Sequence, residues 1–202
     1  MIFHIDANSF YASCECLFRP DLDGKAVVVL SNNDGIIIAL NDAAKQEGLR
    51  RGDAWFKVAE ECDRRGVAVF SSNYTLYADM SARLVSIYNR LCPEVEIYSI
   101  DECFLYYPDW KCPDFSAIAW RIRETVLRET GLPVSVGIAP TRTLAKLCNK
   151  LAKKNGGVLS FQEMDADAEL AAYPVADVWG IGWSKQALLE KHGIRTAADL
   201  KG

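Results

Sequence analysis

The sequence predicts an α+β fold with an antiparallel component, and three observations support this prediction. Short apolar runs typical of strands alternate with longer segments whose apolar residues recur at the helical period. Two strand-like runs joined by a short turn predict a hairpin over residues 95–107. At 202 residues, the chain is long enough for one large domain or two modest ones.

The first elements place an acid at the end of a strand. Residues 2–5 form a short apolar run that predicts a strand, and Asp6 follows at its carboxyl end. Ligands of mixed sheets commonly bind at such strand ends. Asn8 and Ser9 then supply the chemistry of a helix start for a helix over residues 10–14.

The remaining elements follow from the same signals. Residues 21–73 predict a compact insertion that contains strands over 25–30 and 36–40, then a helix over 41–48 that ends at a glycine. Beyond it, the predicted elements are a helix over 74–91, the 95–107 hairpin, a helix that ends near Gly131, a strand over 133–139 and a helix capped by Thr141 or Thr143.

The last forty or so residues differ in composition from the rest. An acidic, Ala-rich stretch follows Gly157 and leads to short helices, the last of which Thr196 could cap. Because the chain stops soon after this last helix-start signal, we expect it to be a piece of a longer protein.

Composition limits the possible classes of function. Half of the residues are hydrophobic and a quarter are charged, which is typical of a soluble globular protein, and the net charge of −4 argues mildly against nucleic acid as a partner. The sequence lacks a membrane-spanning apolar stretch and a signal peptide, so we expect a cytoplasmic protein with no membrane partner. Seven scattered cysteines favour small buried side chains over a zinc site or disulfides.

The adjacent acids Asp101 and Glu102 lie between the two runs of the predicted hairpin. Neighbouring side chains of a regular strand point to opposite faces, so two consecutive carboxylates converge only where the chain turns. Such a pair suits hard divalent cations, which prefer oxygen ligands; a solvated turn is the alternative. A two-metal phosphoryl-transfer site needs a further acid from a neighbouring strand end, which Asp6 supplies, and the Ala7 carbonyl could add a ligand.

Four ordered motifs resemble those of Y-family translesion DNA polymerases. They read IDANSFYASCE at residues 5–15, SIDE at 99–102, VGIA at 136–139 followed by LAK at 144–146, and VWGIG at 178–182. Four further segments, at residues 18–22, 30–35, 70–74 and 77–81, resemble the UmuC branch, the bacterial SOS mutagenesis subunit. The resemblance covers essentially the whole chain.

The resemblance implies a division of the chain and a set of metal ligands. A ferredoxin-like palm would comprise residues 1–10 and 74–160, the fingers 11–73, and a partial helix-hairpin-helix thumb 161–202. The family's catalytic metal ligands fall on Asp6, Asp101 and Glu102, with the Ala7 carbonyl, and would hold two Mg²⁺ ions, or Mn²⁺.

The family's substrate contacts also map onto the sequence. Tyr11 falls on the steric gate that excludes a ribose 2′-hydroxyl, and Lys45 and Lys153 fall on cations that contact the triphosphate. Lys45 replaces an arginine and supplies charge without a bidentate fork. Asp42 stands where many members have tyrosine, and it would repel a triphosphate unless it faces away or pairs with a base.

Two further features complete the set of site residues. Lys146 is a phosphate contact, a structural contact or a solvated surface residue, and the sequence does not choose among them. The DNA-binding turn of the thumb falls on Gly180, Ile181 and Gly182, whose backbone N–H groups would contact a DNA phosphate.

The resemblance therefore predicts an error-prone, translesion DNA-directed DNA polymerase that acts in SOS mutagenesis and DNA repair. Its partners would be primer-template DNA, a dNTP, a UmuD-type accessory dimer, a recombinase filament and the sliding clamp. These residues lack the family's C-terminal little-finger domain, so we expect weak activity or none from this chain alone. Two alternatives stay open: a nucleotide cyclase-like palm enzyme, and a non-catalytic module that binds DNA or a polymerase.

Overall fold

The computed structural model describes residues 1–108 and 114–201, so Cys112 lies outside the described residues. Within these ranges the strands are β1 Ile2–Ala7, β2 Val27–Leu30, β3 Ile37–Leu40, β4 Ala68–Ser71, β5 Val95–Ile97, β6 Glu102–Tyr106, β7 Val134–Ala139 and β8 Val158–Ser160. The helices are α1 Phe10–Cys16, α2 Asp42–Gln46, α3 Trp55–Arg65, α4 Tyr74–Leu91, α5 Phe115–Thr130, α6 Arg142–Ala152, α7 Ala166–Ala172, α8 Trp183–Lys191 and α9 Ala197–Lys201.

A five-stranded sheet forms the larger part of the molecule, with strand order β5-β6-β1-β7-β8. The central strand β1 pairs antiparallel with both β6 and β7, whereas β8 adds to β7 in parallel. The order β5-β6-β1-β7, with α4 and α5 as the intervening helices, is the ferredoxin-like arrangement that the resemblance implied.

The side chains of β1 point alternately to the two faces of the sheet, and each face packs against different helices. Phe3, Ile5 and Ala7 are buried in a core shared with α4 and α5. The side chains between them point to the opposite face, because strand residues alternate, and that face is covered by α6. Asp6 therefore lies on the α6 side.

Helix α6 approaches the sheet closely because β7 carries a glycine. A Cβ at Gly137 would lie only 2.2 Å from the Ala145 carbonyl oxygen and 2.2 Å from the Asn149 nitrogen. The buried Asn149 amide donates to the carbonyls of His4 at 2.9 Å and Ser135 at 2.7 Å. These contacts fix the lysines of α6 beside the end of β1.

The smaller sheet has the order β3-β2-β4 and lies within the predicted insertion. Strand β2 pairs antiparallel with β3 and in parallel with β4. The predicted strands over 25–30 and 36–40 and the helix over 41–48 correspond to β2, β3 and α2, whose N-cap Asn41 accepts from Ala44 N. Helix α3 and strand β4 are elements that the sequence analysis did not identify.

The predicted helix starts have different outcomes. Helix α1 begins at Phe10 as predicted, but Ser9 has a left-handed φ of 49° and makes no side-chain cap bond. Instead, the Ser13 hydroxyl donates to the Asn8 carbonyl at 2.7 Å. Thr141 is the cap of α6, and Thr196 accepts from the Asp199 amide at the start of α9.

Two predictions from composition can be compared with the described residues. Five of the cysteines there are buried, as predicted, and Cys16 is half-buried. No helix in the described ranges is both long enough and apolar enough to cross a membrane.

Candidate active site

The three predicted acids come together at one end of the five-stranded sheet. Asp6 of β1 pairs in register with Glu102 of β6, and Asp101 lies in the turn just before Glu102. The Ala7 amide donates to the Asp101 carbonyl at 3.0 Å, and the Ser99 hydroxyl donates to Asp101 Oδ1 at 2.7 Å. The turn is thus fastened to the end of β1, so the acids have fixed relative positions.

These acids line a cavity of about 490 Å³ that also reaches α1, β3 and α2. Seven residues with a predicted role line it, namely Asp6, Ala7, Tyr11, Lys45, Asp101, Glu102 and Lys153. Residues separated widely in sequence therefore meet around one space that acids and cations both line.

Asp6 is the acid most altered by its surroundings. Its side chain is 15% exposed. Burial raises the pKa of its carboxyl to about 6; Lys153 opposes this rise, while repulsion from Glu102 and Asp101 adds to it. The Lys153 ammonium donates to Asp6 Oδ1 at 2.7 Å, so this lysine neutralises the acid.

Glu102 is held by a second lysine. The Lys146 ammonium donates to Glu102 Oε2 at 2.9 Å and lies 3.2 Å from His4 Nε2. Burial, then Lys146 and Lys153, lower the pKa of His4 to about 3, so the imidazole is neutral at physiological pH. Among the alternatives for Lys146, the structure favours a structural contact.

Tyr11 forms an aromatic wall of the cavity. Its ring stacks on Tyr77 with centroids 4.2 Å apart and meets Tyr74 edge-on at 6.0 Å. Tyr77 is anchored in turn because its hydroxyl donates to Glu15 at 2.7 Å. A ring fixed in this way is suited to steric selection of a substrate.

Two cations of the insertion line the same cavity as the acids. Lys45 Nζ lies 2.7 Å from Asp42 Oδ1. The acid at position 42 is thus paired with a base, which is one of the two arrangements that would keep it from repelling a triphosphate. Arg51 also lines the cavity, and sequence reasoning did not assign it a role. The sequence feature that could have identified Arg51 is the adjacent basic pair Arg50-Arg51. Sequence alone does not distinguish such a pair from solvated surface residues.

The predicted DNA-binding turn lies outside this cavity. Gly180 has a φ of 89°, Gly182 is the N-cap of α8, and Ile181 lies between them. The preceding residue, Trp179, lines a second cavity of about 430 Å³. This second cavity shares Asp6, Glu102 and Lys153 with the first, so the turn is beside the acids but not among them.

A divalent cation is the cofactor that the acids imply. Within residues 1–108 and 114–201, no three His, Cys, Asp or Glu side chains are arranged to hold a metal ion. In this structure, Lys153 and Lys146 contact oxygens of Asp6 and Glu102. The donor set still fits a hard cation, because carboxylates supply its oxygens, and repulsion from Glu102 and Asp101 adds to the rise that burial causes in the pKa of Asp6.

Two solved structures share this fold. A ternary complex of Dbh matches with a TM-score of 0.83 and 25% identity, over 100% of this chain and 59% of that chain. DinB from Sulfolobus solfataricus matches with a TM-score of 0.81 and 24% identity, over 96% of this chain and 58% of that chain. The fold class is therefore that of Y-family DNA polymerases, as the sequence motifs predicted.

Sequence comparison identifies the family within this class. Residues 5–150 match the impB/mucB/samB family, and the chain belongs to it. Protein UmuC of Salmonella typhimurium is 51% identical over 201 residues, 96% of this chain and 48% of the relative. DNA polymerase IV of Acetivibrio thermocellus is 33% identical over 205 residues, 99% of this chain and 51% of the relative. The chain spans about half the length of these curated relatives, and the predicted resemblance to the UmuC branch is confirmed.

Proposed function

We propose that this chain supplies the catalytic part of an error-prone, translesion DNA-directed DNA polymerase that acts in SOS mutagenesis and DNA repair. The observation that carries the proposal is the meeting of Asp6, Asp101 and Glu102 with Tyr11 and several cations around one cavity. The membership of the chain in the impB/mucB/samB family supports the same conclusion.

The proposed palm comprises residues 1–10 and 74–160, the fingers 11–73 and the partial thumb 161–202. The two sheets support this division, because β1 and β5 to β8 form one sheet while β2 to β4 form the other. The substrate cavity then lies between palm and fingers, where both contribute side chains.

Asp6, Asp101, Glu102 and the Ala7 carbonyl would hold two Mg²⁺ ions, or Mn²⁺. Bound there, the metal would activate the primer 3′-hydroxyl and neutralise charge on the phosphates. The carboxylates are suited to this role because they are fixed to paired strands and partly withdrawn from water.

The chain's own residues would bind and orient the nucleotide. Lys153, Lys45 and Arg51 line the cavity and would attract the triphosphate. Binding would exchange ion-pair partners, since Lys153 and Lys45 now contact Asp6 and Asp42. Tyr11 would lie beneath the sugar, where its ring would collide with a 2′-hydroxyl.

Sequence-independent contacts would hold the primer-template. Gly180, Ile181 and Gly182 would offer backbone N–H groups to a DNA phosphate, beside a cavity that shares two of the acids. The UmuD-type dimer, the recombinase filament, the sliding clamp and the cytoplasmic location remain part of the proposal for the whole protein.

Primer extension by the full-length protein tests the proposal. We expect Mg²⁺-dependent incorporation of dNTPs, reduced at least roughly a hundredfold by Asp101→Asn, because a cation ligand is lost. Asp63→Asn, which changes an exposed acid on α3 away from the cavity, is the control and should extend normally. Extension unaffected by Asp101→Asn would contradict the metal-ligand assignment.

One observation favours the non-catalytic alternative. Two of the three acids are already ion-paired with lysines, as expected of a structural cluster in a module that only binds DNA or a polymerase. The same assay distinguishes the two functions, because a non-catalytic module would bind primer-template DNA yet extend no primer at any Mg²⁺ concentration.

A further inference from the structure

Lys146 is the most enclosed of the cations near the acids. Its side chain is 16% exposed, compared with 40% for Lys153. Its ammonium contacts Glu102 Oε2 at 2.9 Å and the neutral imidazole of His4 at 3.2 Å. The opposite oxygen, Glu102 Oε1, lies 3.7 Å from the same imidazole nitrogen. The Glu102 carboxylate therefore lies beside His4 and is bound to α6 through Lys146.

Three aromatic rings surround the Lys146 ammonium. It lies 4.4 Å from the ring centroid of Tyr98, 5.5 Å from that of Trp179 and 5.8 Å from that of Phe104. The rings are tied together, because Trp179 Nε1 donates to the Tyr98 hydroxyl at 3.2 Å. An ammonium stabilised by several ring faces, with part of its water removed, is a strongly held cation.

Lys146 and Lys153 therefore neutralise the acids in different ways. Lys153 is exposed enough to rotate away from Asp6 and toward a phosphate. Lys146 has no such freedom, since the rings, His4 and Glu102 enclose it. This enclosure favours retention of its charge beside Glu102.

We propose that Lys146 is a positioning residue that serves as a permanent counter-ion, holds Glu102 toward α6 and thereby keeps divalent cations from binding tightly before the nucleotide enters. The inference rests on the proposed function, because it takes Glu102 as a cation ligand. A fixed positive charge at hydrogen-bond distance from a ligand oxygen opposes a second cation there. Tight binding then requires the additional oxygens of the substrate phosphates.

Titration of the full-length protein with Mn²⁺ in the absence of nucleotide, followed by the electron paramagnetic resonance signal of unbound Mn²⁺, tests this proposal. Lys146→Gln and Lys146→Met remove the charge and should bind Mn²⁺ roughly tenfold more tightly than the natural chain. The glutamine retains a donor for Glu102 or His4, so it keeps the test available if the methionine variant does not fold.

Two variants are matched controls. Lys146→Arg keeps the charge and should bind Mn²⁺ with about the natural affinity. Lys150→Met removes a lysine one turn further along α6 that pairs with Asp177 rather than with a candidate ligand, and it should also leave the affinity unchanged.

Asp101→Asn separates the failure of this inference from the failure of the proposed function. Mn²⁺ affinity that does not depend on Asp101 would overturn the proposed cation site itself. If Asp101→Asn weakens binding but folded Lys146→Gln binds no more tightly than the natural chain, the cation site stands and the role given to Lys146 is wrong.

Discussion

The two sheets contribute opposite charges to the same cavity, in different surroundings. The five-stranded sheet supplies partly buried acids, with Asp6 and Glu102 exposed by 15% and 21%. Helix α2, which follows strand β3 of the three-stranded sheet, supplies Lys45, which is 53% exposed and pairs with an 83% exposed Asp42. The acids are therefore largely shielded from water, whereas water screens the charges of Lys45 and Asp42. Substitutions should therefore have larger effects on the first sheet than on the second.

Matched glycine substitutions should give the largest contrast between the sheets. Gly137→Ala forces a Cβ to within 2.2 Å of the α6 backbone and should lower the free energy of unfolding by about 3 kcal/mol or more. Gly35→Ala, in the turn between β2 and β3, meets its nearest atom at 3.5 Å and should cost less than about 1 kcal/mol. Urea denaturation measures both, and equal losses would contradict the close packing of α6.

Tyr11 tests whether the space between the sheets is the nucleotide pocket. Tyr11→Ala in the full-length protein should reduce discrimination against rNTPs by about ten- to a hundredfold, because the ring beneath the sugar is lost. Tyr11→Phe keeps the ring stacked on Tyr77 and should discriminate as the natural chain does. The measurement is the ratio of kcat/KM for a dNTP and its rNTP, and an unchanged ratio in Tyr11→Ala would place the sugar elsewhere.

The partly buried carboxylate of Asp6 should lower the stability of the folded chain at neutral pH. Its carboxyl binds a proton more tightly in the folded chain, where its pKa is about 6, than in the unfolded chain, where it is near 3.8. This group therefore makes stability fall as pH rises from about 4 to about 6. Asp6→Asn removes that loss and should raise the free energy of unfolding by about 1–2 kcal/mol at pH 7.5 without divalent cations.

The pH profile provides the control for this prediction. Below about pH 4 the natural carboxyl is protonated, so the difference between Asp6→Asn and the natural chain should nearly vanish. Urea denaturation between pH 4 and 8 measures the profile. A variant less stable than the natural chain at pH 7.5 would show that the Lys153 ion pair outweighs the cost of burial.

The smallest effect is expected on the exposed side of the cavity. Asp42→Asn releases Lys45 from its ion pair and should lower KM for dNTPs by about two- to threefold, with stability changed by less than about 0.5 kcal/mol. Asp79→Asn breaks a similar exposed pair with Arg83 on α4, away from the cavity, and should leave KM unchanged. Equal changes in KM would indicate a general charge effect.

Sequence patterns predicted those strands and helices whose formation depends on residues close together in the chain. Apolar runs located β1, the hairpin and the acids at their ends, and the helical period located α4. The sequence missed α3, because this helix is mostly polar: Cys62 is its buried residue, and Phe56 is 79% exposed. Ser9 is a suitable cap residue by type, yet its φ of 49° prevents that role.

Sequence patterns did not predict the ion pairs between residues far apart in the chain. Lys153 and Asp6 are 147 residues apart in sequence, and Lys146 and Glu102 are 44 apart. Their contact depends on the approach of α6 to β7 at Gly137 and on the order of strands in the sheet. A sequence motif can identify these acids, but only the packed structure shows which cations neutralise them.

The central claim is that Asp6, Asp101 and Glu102 form a cation site for nucleotidyl transfer. Crystals of the protein grown with Mn²⁺ and a non-hydrolysable dNTP test it most directly, through anomalous diffraction from manganese. We predict peaks about 2.2 Å from carboxylate oxygens of these acids, with Lys153 turned from Asp6 toward the phosphates. A bound nucleotide in this cavity with no manganese at the three acids would contradict the claim.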